Sequence, residues 1–335
     1  MATMEEKLRE YNLQTHPRLY TIEYASDEEW LKIRQRGIGG SDIGGLIGIS
    51  KYSSPLKVYK SKTEPVEQVD SVYTRKGHDL EPVIREVYVK PYLQEKGYTI
   101  LHPDVMFVND SCPWLIANLD GIAIPLKPAS YRDNIVVEIK WVSEYGESRW
   151  GGDEYKGVPP EYYAQVQHYM CVTGAQKAIV CALFDSTWEM HYYEIPFDMG
   201  FVMKMLDVSK QFYEHNMTHK IAPSPDFEVD RDELKEEVTE GIEPPTKTSV
   251  HVTEMCMEYA ALKEELKAKE ASLRELGNAI VEAYRSGECP EDPYKVRMKT
   301  YKRTVFNQSA FRNTHPDLYE QFVGMDEYLR IYIGK

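Results

Sequence analysis

Cysteine is scarce in this chain and badly placed for metal chemistry. The five thiols, Cys112, Cys171, Cys181, Cys256 and Cys289, are odd in number and scattered, and no two form a Cys-x-x-Cys pair. That spacing excludes a zinc knuckle or an iron–sulfur cluster, and reduced thiols in a cytoplasmic compartment are the expected state. Long apolar runs are also missing, which excludes a helical membrane span. Residues 1–20 are polar and acidic rather than basic then apolar, so neither a signal peptide nor an anchor is read there. Positive charge is the third shortage: 40 Lys and Arg stand against 54 Asp and Glu, a net charge of −14. A protein that merely coats nucleic acid is excluded by that balance, because phosphate binding needs clustered cations. An enzyme with a local basic track on an acidic body is still allowed.

What is present is an ordinary globular composition, 42% hydrophobic and 28% charged over 335 residues, long enough for one large domain and an appendage. Ser26-Asp27-Glu28-Glu29 has the form of a capping box and predicts a helix through Arg36. A small-residue turn, Gly37 to Asp42, leads into a short helix around Ile43 to Ile47, and Ser54-Pro55 starts another. Leu80, Val83, Ile84, Val87 and Tyr88 are spaced helically within Lys76 to Gly97, with a kink or break expected at Pro91. The middle of the chain reads as strands at 114–117, 121–124, 135–140, 178–184 and 189–195, interrupted by a helix from Pro160 to Gly174. A further helix is expected over 197–216.

This order predicts a mixed α/β core over residues 1–222. An acidic, proline-containing linker is expected over 223–250, then a C-terminal module over 251–335. In that module Met255, Tyr259, Leu262, Leu266, Leu273, Leu276 and Ile280 recur in steps of four and three, with Lys269 at the missing position. The pattern predicts an amphipathic helix with a coiled-coil-like seam, weakened by Gly277. Lys295, Arg297 and Lys299 alternate with Val296 and Met298, which suggests a strand with one basic face.

The chemistry concentrates in Ile135-Val136-Val137-Glu138-Ile139-Lys140. As a strand it places Ile135, Val137 and Ile139 on one face, and Val136, Glu138 and Lys140 on the other. Upstream, Asp120-Gly121 puts an acid at a turn or strand end. An Asp followed by a strand carrying Glu-x-Lys is the PD-(D/E)xK nuclease pattern. Phosphodiester hydrolysis needs charge stabilised on phosphorus and a water activated near neutral pH. Two carboxylates within about 4 Å repel by several kcal/mol at an effective dielectric near 20. A divalent cation removes that repulsion, and Mg²⁺ takes oxygen ligands while keeping waters. Lys140 can orient the attacking water or offset developing charge, and the carbonyl of Ile139 is a natural further ligand. Alone, Asp-Gly also reads as a hairpin turn and Glu-x-Lys as a solvated strand face.

Two further helical segments, Gly77-His78-Asp79-Leu80-Glu81-Pro82 and Tyr163-Ala164-Gln165-Val166-Gln167, accompany these residues. With Trp30-Leu31-Lys32-Ile33-Arg34, Gly37-Ile38-Gly39-Gly40-Ser41-Asp42-Ile43, Asp120-Gly121 and Glu138-Ile139-Lys140, the set resembles the YqaJ viral recombinase family of lambda-exonuclease-like, RecB-like nucleases. The matching motifs span roughly residues 25 to 185. The resemblance implies a restriction-endonuclease-like α/β fold with a helical and small β extension at the C-terminus. It implies a catalytic set of Glu81, Asp120, Glu138, Lys140 and Gln165, with Asp120, Glu138, Glu81 and the Ile139 carbonyl binding Mg²⁺ or Mn²⁺. It assigns Arg34 and Ser41 to the 5′-phosphate of a DNA end. That role suits a forked guanidinium beside small residues, though Arg34 would also reach Glu29 or Asp27 as a surface ion pair.

The implied activity is 5′→3′ exonuclease action on linear double-stranded DNA in phage-type recombination. An endonuclease of the same fold and a non-catalytic DNA-end-binding protein are the alternatives. The resemblance further implies a single-strand annealing partner, a ring-shaped homotrimer, and a bacterial cytoplasmic setting for a phage or prophage protein. Two departures stand out. The insertion between Asp120 and Glu138 is longer than in the lambda-type enzyme, and Trp141-Val142 follows Lys140 where family members often have Cys-Pro. In the 143–158 loop, Trp150 is read either as a stacking partner for an unpaired base or as part of the core.

Overall fold

The computed structural model describes residues 18–65, 72–127, 130–232, 234–235, 247–288 and 308–323. The expected basic strand at 295–299 lies outside them. The chain divides into two compact units, Met1–Arg231 and Asp232–Lys335. The first unit therefore runs past the boundary expected at 222. Its last turn is tied down by Asp230, which is fully buried and accepts from Ser54 Oγ at 2.5 Å.

In chain order the first unit comprises β1 (Leu19–Glu23), α1 (Asp27–Gln35), α2 (Gly40–Leu46), α3 (Pro55–Thr63), α4 (Val72–Ile84), a π-helical turn (Arg85–Val89), α5 (Lys90–Glu95), β2 (Tyr98–Leu101) and β3 (Val105–Asn109). It continues with β4 (Ile116–Ala117), β5 (Gly121–Pro125), β6 (Ile135–Val142), α6 (Pro160–Thr173), β7 (Lys177–Phe184), β8 (Met190–Pro196) and α7 (Met199–Gln211). A small sheet has the order β1-β3-β4, and the main sheet the order β2-β5-β6-β7-β8. Every pairing in the main sheet is antiparallel except β6 with β7. A parallel pair needs a crossover, and α6 supplies it.

The sheet is covered on both faces. Val136 faces the cluster built with Tyr163, Ala164, Val166 and Met170 of α6. Ile135, Val137 and Ile139 face Ile84, Val89 and Leu93 from the α4–α5 segment. That is the alternation expected of β6, and it directs Glu138 and Lys140 toward α6. Local signals set the helix ends as read: Ser26 Oγ caps α1 by accepting from Glu29 N, and Gly174 closes α6 in the left-handed conformation at φ 79°.

Several elements differ from expectation. Strands β1, β2 and β3 were not foreseen, and the strand expected at 114–117 is confined to Ile116–Ala117, with the Trp114 indole N–H donating to Ser209 Oγ. The helix entering Pro91 does not break there. It widens into the π-helical turn at Arg85–Val89 just before the proline, which absorbs the missing N–H.

The second unit contains α8 (Val250–Arg285), α9 (Gln308–Thr314) and α10 (Pro316–Phe322). In α8 the seam positions Met255, Tyr259, Leu262, Leu266, Leu273, Leu276 and Ile280 are all exposed. Gln308 Nε2 joins α9 to α10 by donating to Tyr319 Oη at 2.7 Å. Among the described residues, no helix is long and apolar enough to cross a membrane.

Candidate active site

A cavity of about 250 Å³ opens where β5 and β6 meet the N-terminus of α2 and the inner face of α6. Asp120, Glu138, Lys140, Gln165, Arg34 and Ser41 all line it. Five separate motifs of the sequence are thus brought to one place.

Asp120 sits immediately before β5, and its Oδ2 accepts from Ile139 N at 2.8 Å. The side chain thereby ties the start of β5 to the middle of β6. Asp120-Gly121 is not a hairpin turn: Gly121 lies inside β5, paired with Val137. A Cβ there would come within 2.8 Å of Ile100 Cδ1, so close strand packing is what requires the glycine. Glu138 is completely buried. Its Oε1 accepts from Lys140 Nζ, while its Oε2 is buried without a hydrogen-bond partner. Burial, and then the nearby Asp120, push the Glu138 carboxyl up to about 8 against the pull of Lys140. Burial works against the Lys140 ammonium, but Glu138 and Asp120 outweigh it and hold that group above its usual range. The ammonium also lies 4.9 Å from the centroid of the Tyr162 ring.

Glu81, on α4, stands beside this cluster but is not part of the cavity lining. It is ion-paired with Arg85 one turn along the helix, and His102 Nε2 lies 3.9 Å away. Burial and Asp120 raise its carboxyl, with Arg85 pulling the other way. Gln165, nearly buried on α6, donates to Tyr169 Oη at 2.9 Å.

Arg34 does not take the surface ion pair with Glu29, whose Oε2 instead accepts from Ala25 N. Its Nη2 donates to Ser41 Oγ at 2.7 Å, and its guanidinium carbon lies 5.1 Å from the Trp30 ring centroid. Trp30 is fixed in turn by donating to Asn118 Oδ1 at 3.1 Å. Beneath this pair lies a feature with no signal in the sequence. Asp42 and Lys62 form an ion pair of 2.6 Å with side chains only 10% and 2% exposed. Lys62 Nζ also donates to Arg34 O, and Asp42 Oδ2 accepts from Gly39 N. Burial alone would raise the Asp42 carboxyl, but Lys62, Arg34 and the Gly39 amide hold it below the usual carboxylate range. The buried His168 ring fixes the same turn from α6, with Nε2 3.1 Å from Ile38 O. Gly40 allows α2 to reach α6 at all: a Cβ there would fall 2.5 Å from Tyr169 Cε1.

The donors fit a divalent cation. Glu138 Oε2 is a buried acceptor without a hydrogen-bond partner, on a carboxyl close enough to Asp120 to feel its charge. Among the described residues, no three His, Cys, Asp or Glu side chains stand close enough together to hold an ion by themselves. The set is therefore two carboxylates, Asp120 and Glu138, with the Ile139 carbonyl beside them. Mg²⁺, which keeps several waters and shares substrate phosphates, suits such a set.

An acid at the start of one strand, a Glu-x-Lys on its neighbour and a parallel crossover packed over both define a restriction-endonuclease-like, PD-(D/E)xK α/β core. Residues 29–176 match the family model of the YqaJ-like viral recombinase domain. The uncharacterized protein YqaJ of Bacillus subtilis (strain 168) is 25% identical over 309 residues, covering 88% of this chain and 90% of that protein. Among solved structures, the alkaline exonuclease LHK-Exo from Laribacter hongkongensis is similar at 17% identity and a TM-score of 0.45, over 64% of this chain and 98% of that one. A phage-related exonuclease from Haemophilus somnus 129PT is similar at 12% identity and a TM-score of 0.40, over 57% and 100%.

Sequence reasoning overlooked Arg85, Asp42, Lys62, Trp30 as a platform, and His168. Arg85 had a readable signal, its i+4 spacing from Glu81. Lys62 had none, because its pairing with Asp42 is purely tertiary.

Proposed function

We propose that this protein is a metal-dependent deoxyribonuclease acting as a 5′→3′ exonuclease on linear double-stranded DNA ends. The observation that carries the reading is that one cavity holds both the acid–acid–lysine cluster and the Arg34–Ser41 pair. The residues that would cut and those that would grip an anion thus line the same cavity.

Asp120, Glu138 and the Ile139 carbonyl would hold the cation, Mg²⁺ or Mn²⁺, with Glu81 close by. Bound there, it would draw charge from the scissile phosphate and lower the pKa of a bound water. Lys140 is held as a cation beside that position and orients the attacking water or offsets charge on the phosphate. Gln165 supports the site from α6, its amide fixed by Tyr169. Arg34 offers charge-assisted hydrogen bonds to a terminal 5′-phosphate, with Ser41 beside it. The net charge of −14 is no obstacle, since Arg34 and Lys140 place two cations in the lining of this cavity. The same reading places the enzyme in phage-type recombination, handing a single strand to an annealing protein and working as a homotrimer.

Linear duplex labelled separately at its 5′ and 3′ ends, digested with Mg²⁺ or Mn²⁺ beside a closed circle, tests the reading. Stepwise release from the 5′ end with an intact circle is expected. Cutting of the circle makes the protein an endonuclease, release from the 3′ end reverses the polarity, and binding without cleavage under either metal leaves an end-binding protein.

A further inference from the structure

Beyond Lys140 the molecule has a second opening that the reaction does not use. A cleft of about 490 Å³ is walled by Tyr52, Trp141, Arg149, Trp150, Pro159 and Tyr162. Tyr162 is its link to the active site, because one face of its ring carries the Lys140 ammonium. We propose that this aromatic cleft is a stacking subsite for an unpaired base of the DNA strand whose phosphate lies at Lys140. The inference rests on the nuclease reading and names what the site holds besides the phosphate.

Three observations commit the cleft to a nucleotide. Its walls are aromatic rings, and base–aromatic stacking is tolerant of base identity because every base has a π-face. Its rim is cationic on an acidic protein. Arg149 is pinned by Glu161 at 2.6 Å with its guanidinium 5.3 Å from the Tyr52 ring, and Lys76 Nζ lies 5.4 Å from the Trp141 ring. This combination complements a base with its phosphate and has no use for a purely apolar ligand. Finally, Tyr52 is 68% exposed on the α2–α3 connection, its ring facing Arg149. Trp150, by contrast, is committed to packing, with Tyr162, Phe184 and Tyr193 rings all within 6 Å. It forms the wall, and Tyr52 is the exposed ring that would close on a base, with Arg149 beside it. A base inside a duplex is already stacked and cannot enter, so the occupant is unpaired. The cleft would thus favour a frayed or overhanging end over a closed blunt one.

The test uses the whole protein in EDTA, so that binding is read without hydrolysis. A short 5′-phosphorylated oligodeoxynucleotide carries 2-aminopurine near its 5′ end, and fluorescence quenching reports stacking. Wild-type protein should quench the probe. Tyr52→Ala should weaken binding about ten-fold and relieve the quench, with Tyr52→Phe restoring both. Replacing single nucleotides near the 5′ end by abasic units should, at one position, lower wild-type affinity to that of Tyr52→Ala. Equal affinity and quenching for wild type and Tyr52→Ala would overturn the proposal, as would a Tyr52 effect unchanged by every abasic position. Absence of DNA hydrolysis in Mg²⁺ would defeat the nuclease reading while leaving this binding result to stand or fall by itself.

Discussion

The buried Asp42–Lys62 pair offers a direct test of how the phosphate-gripping end of the site is held. Lys62→Met keeps the length and apolar stem of the side chain but deletes the ammonium. What is lost is an attraction across 2.6 Å, about 6 kcal/mol at an effective dielectric of 20, together with the hydrogen bond to Arg34 O. The desolvation of Lys62 is regained, but Asp42 stays buried with only the Gly39 amide and the field of Arg34 to support it. Breaking one side of a buried pair costs about 3–5 kcal/mol, and the surviving partners of Asp42 place this case toward the lower end. For a unit of this size the midpoint of thermal unfolding should fall by roughly 6–20 °C. The assay is thermal denaturation of wild type, Lys62→Met, Asp42→Asn and the double variant. Removing both charges leaves no orphan, so the double variant should be more stable than the sum of the single losses predicts, by at least about 1 kcal/mol. Unchanged melting of Lys62→Met, or strict additivity in the double variant, would refute the reasoning.

Further expectations concern the elements around that pair. Arg34→Ala should lose about ten-fold or more of its preference for 5′-phosphate over 5′-hydroxyl ends, read by competition binding in EDTA; an unchanged preference would remove Arg34 from the end. His168 is held neutral, its pKa lowered to about 4 mainly by burial. Because the unfolded ring titrates near 6.5, the unfolded state takes up the proton first as pH falls. Stability should therefore be full above about pH 6.5 and decline toward pH 4 by about 1.4 kcal/mol per pH unit. Denaturant titrations should show that this dependence is reduced in His168→Gln, and identical slopes would contradict it. Gly40→Ala places a methyl on Tyr169 and should destabilise by about 1–3 kcal/mol, whereas Gly77→Ala, which meets nothing within 4 Å, should not.

Much of the site was legible because its signals are local. The alternation in Ile135–Lys140 depends only on the two-residue period of a strand, and it correctly put Glu138 and Lys140 opposite the Ile135–Ile139 face. Pro160 and Gly174 bound α6 by backbone chemistry that each residue carries in itself. Strand β3 escaped because it is buried at all five positions, which erases alternation, and β1 exists only by pairing with it. Glu81 shows the limit on the chemical side. Its helix and its i+4 pairing with Arg85 were readable, but its standing beside the cavity lining rather than in it depends on tertiary packing. Trp150 was open between base and core; three ring neighbours pack it partly buried against the core, and it also lines the aromatic cleft.

The central claim is that the carboxylate pair beside Lys140 carries phosphodiester hydrolysis with a divalent cation. Glu138→Gln tests it most directly, since the amide keeps the shape of a completely buried side chain and removes only its charge. Cleavage of 5′-phosphorylated linear duplex in Mg²⁺ should fall by about 100-fold or more, with DNA binding in EDTA and a cooperative unfolding transition retained. Wild-type cleavage rates in Glu138→Gln, or equal wild-type cleavage in Mg²⁺ and EDTA, would contradict the account.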